Sequence, residues 1–334
     1  MDAANYPKAI KRIVLIRMGK IGDLIVSNFV FRKIRASFPA ATILLVTLPR
    51  TRELLRYNHC ADRVLYFHKG MDILRLIVRL RMFKPDLFLD FNDNSSSTSS
   101  VLARFCSAPV KVGFAFPGNR PYLTNPVECP AKAKTHITER LRRIPEAMGL
   151  TFAPEEVVPS MDLGRQESEE VHRRLEASGG KGLRLVSVNL SAGHPSRYWQ
   201  TGKWCQLLAE IAAAGSPTLF ILLTAHGEED LASTVSGQLP SLRFFCPGRV
   251  GFHHFAAYIA RSGLLLSPDT SAIHIAASFR VPVIGLYPAV EWNYQSWRPV
   301  GTVSVAVRPA KGDVGDIGVQ EVMEAYRSLE GRLW

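Results

Sequence analysis

The tightest constraint on the fold of this chain is the order of elements between residues 264 and 287. Leu264-Leu-Leu is a short apolar run of the kind a buried parallel strand needs, and Ser267-Pro268 stops it. Asp269, Thr270 and Ser271 are all favoured N-cap types, so a helix is expected from Ala272 to Phe279. Val281 to Tyr287 then reads as the next strand. A helix opened by small polar residues offers free backbone N–H groups and the positive end of its dipole, a seat for phosphate oxygens. His274 follows Thr270 by one helical turn and shares its face. An ordinary capped helix with a packed histidine has the same spacing, so the stretch fixes the local fold before it fixes a ligand.

The same grammar opens the chain. Arg12 to Arg17 is an apolar strand that ends in Met18-Gly-Lys-Ile-Gly-Asp23, and Leu24 to Ser37 has helical periodicity. A glycine turn at the carboxyl end of a parallel strand is where open α/β sheets place ligands. The turn has G-x-x-G but not the dinucleotide fingerprint. It is not a P-loop either, because Gly19-Lys20 is followed by Ile21 and offers no hydroxyl to magnesium. Asp23 suits two roles: a cap for the helix, or a base held at the top of the first strand.

Further strands are expected at Ala41 to Leu48, Arg63 to Phe67, Asp86 to Phe91 and Val110 to Phe114, with a short helix from Thr51 to Tyr57. The helix Met71 to Lys84 mixes Arg75, Arg79, Arg81 and Lys84 with Ile73, Leu74, Leu76, Ile77 and Leu80. Such a helix suits an anionic membrane surface, but the commoner reading is the solvated face of a crossover helix. Asn92 to Ser100 is a polar loop rich in hydroxyls, suited to a polyhydroxylated acceptor or simply a plain mobile loop, and Phe116 to Pro130 reads as loop. Lys132, Lys134, His136, Arg140, Arg142 and Arg143 form a basic cluster, either solvated or facing phosphate and carboxylate groups. Leu150 to Asp162 reads as a linker. Beyond it, strands at Arg184 to Leu190, Thr218 to Leu223 and Arg243 to Cys246 alternate with helices up to a last one, Val319 to Arg332. Residues 288 to 300 read as loop.

With 334 residues, two domains are expected, 1–160 and 161–334. Both halves alternate β and α, so the economical architecture is two Rossmann-like doubly wound domains facing across a cleft. The last helix is free to pack back on the first domain. No apolar run reaches membrane-spanning length, and the polar stretch Met1 to Lys11 does not resemble a signal peptide. Five scattered cysteines without C-x-x-C spacing point to reduced thiols in a cytoplasmic protein. A net charge of +12 calls for an anionic partner. Nucleic acid is disfavoured, because no recognised nucleic-acid motif is present.

Taken together, these segments resemble glycosyltransferase family 9, the heptosyltransferases of lipopolysaccharide core assembly. Ile16-Arg-Met-Gly-Lys-Ile-Gly-Asp23 resembles the family's opening motif, which puts its catalytic base on Asp23. Asp269-Thr-Ser-Ala-Ile-His274 resembles the Asp-Thr-Gly-x-x-His signature that holds the donor diphosphate, with Ser271 where glycine is usual. Arg197-Tyr-Trp-Gln resembles a Lys-x-Trp-Pro stretch whose basic residue meets the diphosphate. The resemblance implies a GT-B fold and an inverting transfer that uses neither metal nor cofactor. The donor would be a nucleotide sugar, ADP-heptose, bound by Arg197, Asp269, Thr270, Ser271, His274 and, at its ribose or base, Glu228. A lipopolysaccharide inner-core acceptor would lie on the first domain against Arg17, Gly19, Lys20, Gly22, Ser96, Arg120 and His136. The enzyme would work in the cytoplasm, in peripheral contact with the anionic inner face of the membrane. Asp269 would repel the diphosphate if it pointed inward, so its side chain is expected to cap the helix. Competing readings are another nucleotide sugar or a protein acceptor within the family, and a non-catalytic nucleotide-sugar-binding protein. The presence of Asp23 argues against the last.

Overall fold

The computed structural model describes residues 10–68 and 72–333. The chain divides into two compact units, Met1–Met161 with Gln295–Trp297, and Asp162–Tyr294 with Arg298–Trp334.

The first unit contains β1 (Arg12–Ile16), α1 (Ile21–Ser37), β2 (Thr42–Thr47), β3 (Arg63–Tyr66), α2 (Asp72–Phe83), β4 (Leu87–Asp90), α3 (Ser97–Phe105), β5 (Val110–Phe114), β6 (Asn125–Val127) and α4 (Ile137–Glu146). Its six strands are parallel in the order β3-β2-β1-β4-β5-β6. The chain therefore reverses direction between β1 and β4, and the carboxyl ends of those two strands form the switch point where such sheets bind ligands. Strands β1 and β2 are apolar and buried almost throughout because helices cover both faces of the sheet.

The second unit repeats this plan with α5 (Arg165–Ala177), β7 (Arg184–Asn189), α6 (Thr201–Ala213), β8 (Thr218–Leu223), α7 (Glu229–Gln238), β9 (Phe244–Phe245), α8 (Phe252–Arg261), β10 (Leu264–Pro268), α9 (Ser271–Ser278), β11 (Val283–Leu286), α10 (Glu291–Trp297, whose last three residues group with the first unit), β12 (Ser304–Val307) and α11 (Val319–Leu333). The strand order is β12-β11-β10-β7-β8-β9, all parallel, with the switch point between β7 and β10.

Several elements differ from the sequence reading. The expected helix over 51–57 is two 3₁₀ turns, Pro49–Thr51 and Leu54–Tyr57. The hydroxyl-rich run after β4 is partly helical, with Ser96 as the N-cap of α3. β6 is a three-residue edge strand whose Pro126 leaves little strand pattern to read, and α10 lies inside the expected loop. The last helix, α11, groups with the second unit. Its apolar face, Val322, Met323, Tyr326 and Leu329, is buried in the core of the second.

Candidate active site

Two clusters, one in each unit, gather most of the residues singled out by the sequence. In the first unit, Asp23 is the third residue of α1. Its Oδ2 accepts the Lys20 backbone N–H at 2.7 Å, and its Oδ1 accepts from an Arg17 Nη2 donor at 3.1 Å. Asp23 thus caps its helix, and it also lines a cavity of about 270 Å³ with Arg17, Gly19, Lys20, Arg50, Asn92 and Ser96 among the other walls. Gly19 makes this position possible. A Cβ on Gly19 would stand 2.4 Å from the Cβ of Asp23, so any side chain there would push the carboxylate away.

Arg17 is 2% exposed and fully engaged at its ends. Nη1 donates to the Phe91 carbonyl at 2.7 Å and to Asp93 at 2.9 Å, while Nη2 holds Asp23. Although it borders the cavity, its place is behind the carboxylate it orients. Asp93 also accepts from Arg140, a side chain with no exposed surface, at 2.9 Å, and lies 3.7 Å from Lys132. Burial favours the neutral acid, but Arg17, Arg140 and Lys132 outweigh it and hold the Asp93 carboxyl well below the usual carboxylate range. Arg140 donates further to the Thr135 carbonyl and to the Ser296 hydroxyl. Asn92 accepts the Met18 N–H and donates to Asp90, tying the turn after β1 to the end of β4. Burial pushes the Asp90 carboxyl up to about 6, even though the Asn92 N–H, its side-chain amide and the Ser99 hydroxyl all oppose the shift.

The remaining first-unit residues separate. Ser96 lines the cavity and accepts the Ser99 N–H, and Gly22 sits in the first turn of α1. Arg120 and His136 do not line the cavity. The exposed Arg120 pairs with Glu128 at 2.6 Å. His136 is buried as the N-cap of α4, its Nδ1 taking the Thr138 N–H. The sequence reading missed Arg50, carried to the cavity by a 3₁₀ turn, and took Asn92, Asp93 and Asn94 only as part of a polar loop, without singling them out. The latter three follow β4 directly at the switch point, a signal that was open to reading.

In the second unit, Thr270 rather than Asp269 caps α9, accepting the Ala272 N–H. This corrects the expected role of Asp269. Its Oδ2 instead accepts the Asn293 amide at 2.6 Å, and Arg197 donates to its backbone oxygen at 2.9 Å, with 3.4 Å to Oδ2. These bonds occupy the carboxylate and leave Arg197, about a third exposed, beside the first turn of α9, where Ser271 begins the helix. His274 is buried one turn in. Asn189, at the end of β7, donates to the hydroxyls of Ser267 and Thr270 and so joins β7 to β10 across the switch point. Tyr198, next to Arg197, donates to Glu228 at 2.5 Å, and the second Glu228 oxygen is buried without a partner. One short loop thereby brings Arg197, Asp269 and Glu228 together. Asn189 and Asn293 were not anticipated, since nothing in their local spacing distinguishes them from other strand-end or loop asparagines.

Among the described residues, no group of three His, Cys, Asp or Glu side chains is placed to hold a metal ion, and no helix is long and apolar enough to cross a membrane.

The model of glycosyltransferase family 9 (heptosyltransferase) matches residues 73–326. Lipopolysaccharide heptosyltransferase 3 of Escherichia coli K12 is 24% identical over 293 residues, covering 83% of this chain and 82% of its own. The crystal structure of a family 9 glycosyl transferase from Veillonella parvula covers 97% of this chain and 98% of its own, with a TM-score of 0.80 at 18% identity. The ADP-heptose lps heptosyltransferase II of E. coli covers 96% and 99%, with a TM-score of 0.73 at 16% identity. These structures share the GT-B fold expected from the two Rossmann-like units. The family match begins in α2 and leaves Asp23 outside it, but it takes in most of the chain. The protein is a glycosyltransferase and belongs to family 9.

Proposed function

We propose that the protein transfers a heptose from ADP-heptose to a lipopolysaccharide inner-core acceptor by direct, inverting displacement, without metal or cofactor. The observation that carries this reading is the Asp23 carboxylate, held at both oxygens on the wall of the first-unit cavity. A base for in-line displacement must sit within reach of an acceptor hydroxyl and keep its orientation. Each Asp23 oxygen accepts one bond from the protein, which leaves further lone pairs for the acceptor proton. Lys20, Arg50 and Ser96 are the acceptor-side groups, and two exposed cations suit a phosphorylated sugar. Arg197 and the N–H groups at the start of α9 would stabilise the diphosphate as it leaves, and the half-buried Glu228–Tyr198 pair would meet the ribose. ADP-heptose, named for the E. coli relative, is the donor this reading adopts. A lipid-carried acceptor would bring the enzyme to the inner face of the cytoplasmic membrane.

The test is a thermal-shift panel with ADP, UDP, GDP and NAD, each with and without EDTA, followed by transfer assays of Asp23→Ala and Asp23→Asn. A ligand at a hundred times its dissociation constant adds about 2.7 kcal/mol to stability. A shift with ADP alone, unchanged by EDTA, together with loss of transfer in both variants, supports the reading. A UDP or GDP preference moves it to another donor. Full activity in Asp23→Ala overturns the assignment of the base.

A further inference from the structure

The described residues include seven large apolar side chains that stand exposed, and four of them, Leu74, Val78, Met82 and Phe105, fall in one patch. Leu74, Val78 and Met82 are 65%, 54% and 76% exposed and recur every four residues along α2. At roughly 100° per residue they share an arc of about 80°. The opposite side of the same helix is already used, because Leu76 and Leu80 are buried in the core under the sheet. A crossover helix needs one apolar face, and α2 has two.

The outward stripe has basic residues on both flanks. Arg75 and Arg79 lie on one side and Arg81 on the other, all exposed. Arg81 donates to the Phe105 carbonyl at 3.2 Å, and the guanidinium groups of Arg81 and Arg104 stand 5.9 and 5.3 Å from the Phe105 ring, so α3 extends the patch. The only acid within α2 is Asp72, 3.7 Å from Arg75. Scattered apolar side chains need no explanation, but a contiguous stripe does. An apolar strip between arginines is what an amphipathic helix presents to the headgroup boundary of an anionic bilayer.

The topology gives the patch a direction. All strands of the first sheet are parallel, and α2 and α3 both run back from its carboxyl edge, so the patch extends from Leu74, toward the edge that holds the cavity beside Asp23, to Met82 and Phe105, toward the amino edge. We propose that the outer face of α2, with Phe105, seats the protein on an anionic phospholipid surface through partial insertion of Leu74, Val78 and Met82. This adds a docking surface to the function proposed above. The binding itself requires no transfer activity.

The experiment is co-sedimentation of the full chain with vesicles of phosphatidylcholine alone and of phosphatidylcholine with phosphatidylglycerol, over a range of salt. The native chain is expected on the anionic vesicles only, and less so as salt rises. Leu74→Ser/Val78→Ser/Met82→Ser is expected to bind at least about tenfold more weakly, from lost apolar insertion. Its thermal midpoint and its transfer to a soluble, delipidated acceptor should not change, since these side chains face solvent. Arg75→Glu/Arg79→Glu serves as an independent variant and should weaken binding by roughly fivefold or more for each arginine. Native-like vesicle binding by the triple serine variant overturns the proposal, as does native chain that ignores both vesicle types. A self-association in sedimentation velocity that the serine variant abolishes also overturns it, assigning the patch to a second copy instead. Vesicle binding without any transfer would count against the proposed reaction and leave the docking surface standing.

Discussion

Arg17 donates one guanidinium nitrogen to Asp23 at 3.1 Å and the other to Asp93 at 2.9 Å. The bridge joins the residue proposed as base to a buried carboxylate that Arg140 and Lys132 also surround. Asp23 is therefore oriented from behind by a charge network and from its own helix by the Lys20 N–H.

Arg17→Lys separates positioning from acceptor binding. A lysine keeps the charge but acts as a point, and it cannot span two carboxylates as the planar guanidinium does. Asp93 keeps Arg140 and Lys132, so no buried charge is stranded. We expect kcat to fall by about 10- to 100-fold, a size typical of a misplaced reacting group, with acceptor KM within about threefold of native. A raised KM at unchanged kcat would mean instead that Arg17 binds the acceptor directly.

Much of this arrangement was legible before the structure, and the parts that were not share a cause. The alternation of apolar runs with capped helices announced both doubly wound units, because buried parallel strands read as near-continuous apolar segments. β6 escaped because three residues with a central proline leave no strand pattern, and α10 because seven residues make only two turns. Arg140 was visible only as one of a run of cations. Its partner Asp93 lies 47 residues away, and the pair becomes apparent only when α4 packs beside the sheet. Asp269 was misjudged for a related reason. Three good capping types stand in a row, and the choice of Thr270 was made by Asn293 and Arg197 taking hold of Asp269.

Gly19→Ala probes the same carboxylate from its other side. The added methyl would meet Asp23 Cβ at 2.4 Å, so the carboxylate must move or the turn must open. Transfer should drop by about a hundredfold, while the thermal shift with ADP persists because the second unit is untouched. Native activity in this variant would show that the position of Asp23 does not matter to the reaction.

On the donor side, the bond between Asn293 and Asp269 can be reversed in sign. Asn293→Asp would set a second carboxylate against Asp269 at the present 2.6 Å donor–acceptor distance, loosening the hold of Arg197 on the start of α9. A charge-assisted hydrogen bond is worth about 1.5–3 kcal/mol, so ADP affinity by calorimetry should fall by roughly 10- to 100-fold. Unchanged affinity would remove Asp269 and Arg197 from the phosphate seat.

Asp90 makes a prediction about pH. Its folded carboxyl titrates near 6 because it is buried, against about 3.9 in an unfolded chain. Between those values the folded state binds more protons, so this group's contribution to stability declines as pH rises from about 4 to about 6 and stays at its least favourable above that. Two pH units correspond to about 3 kcal/mol. Asp90→Asn abolishes the ionisation and keeps an oxygen to accept from Asn92. Relative to native, the variant should therefore melt several degrees higher at pH 8 and lose that advantage by pH 4. The comparison cancels the opposite dependence of Asp93, whose depressed carboxyl contributes stability above the unfolded value and loses it in acid. A native-minus-variant difference that stays flat from pH 4 to pH 8 would mean that Asp90 is already ionised at the lower end, and that Arg17 supports it more strongly than burial opposes it.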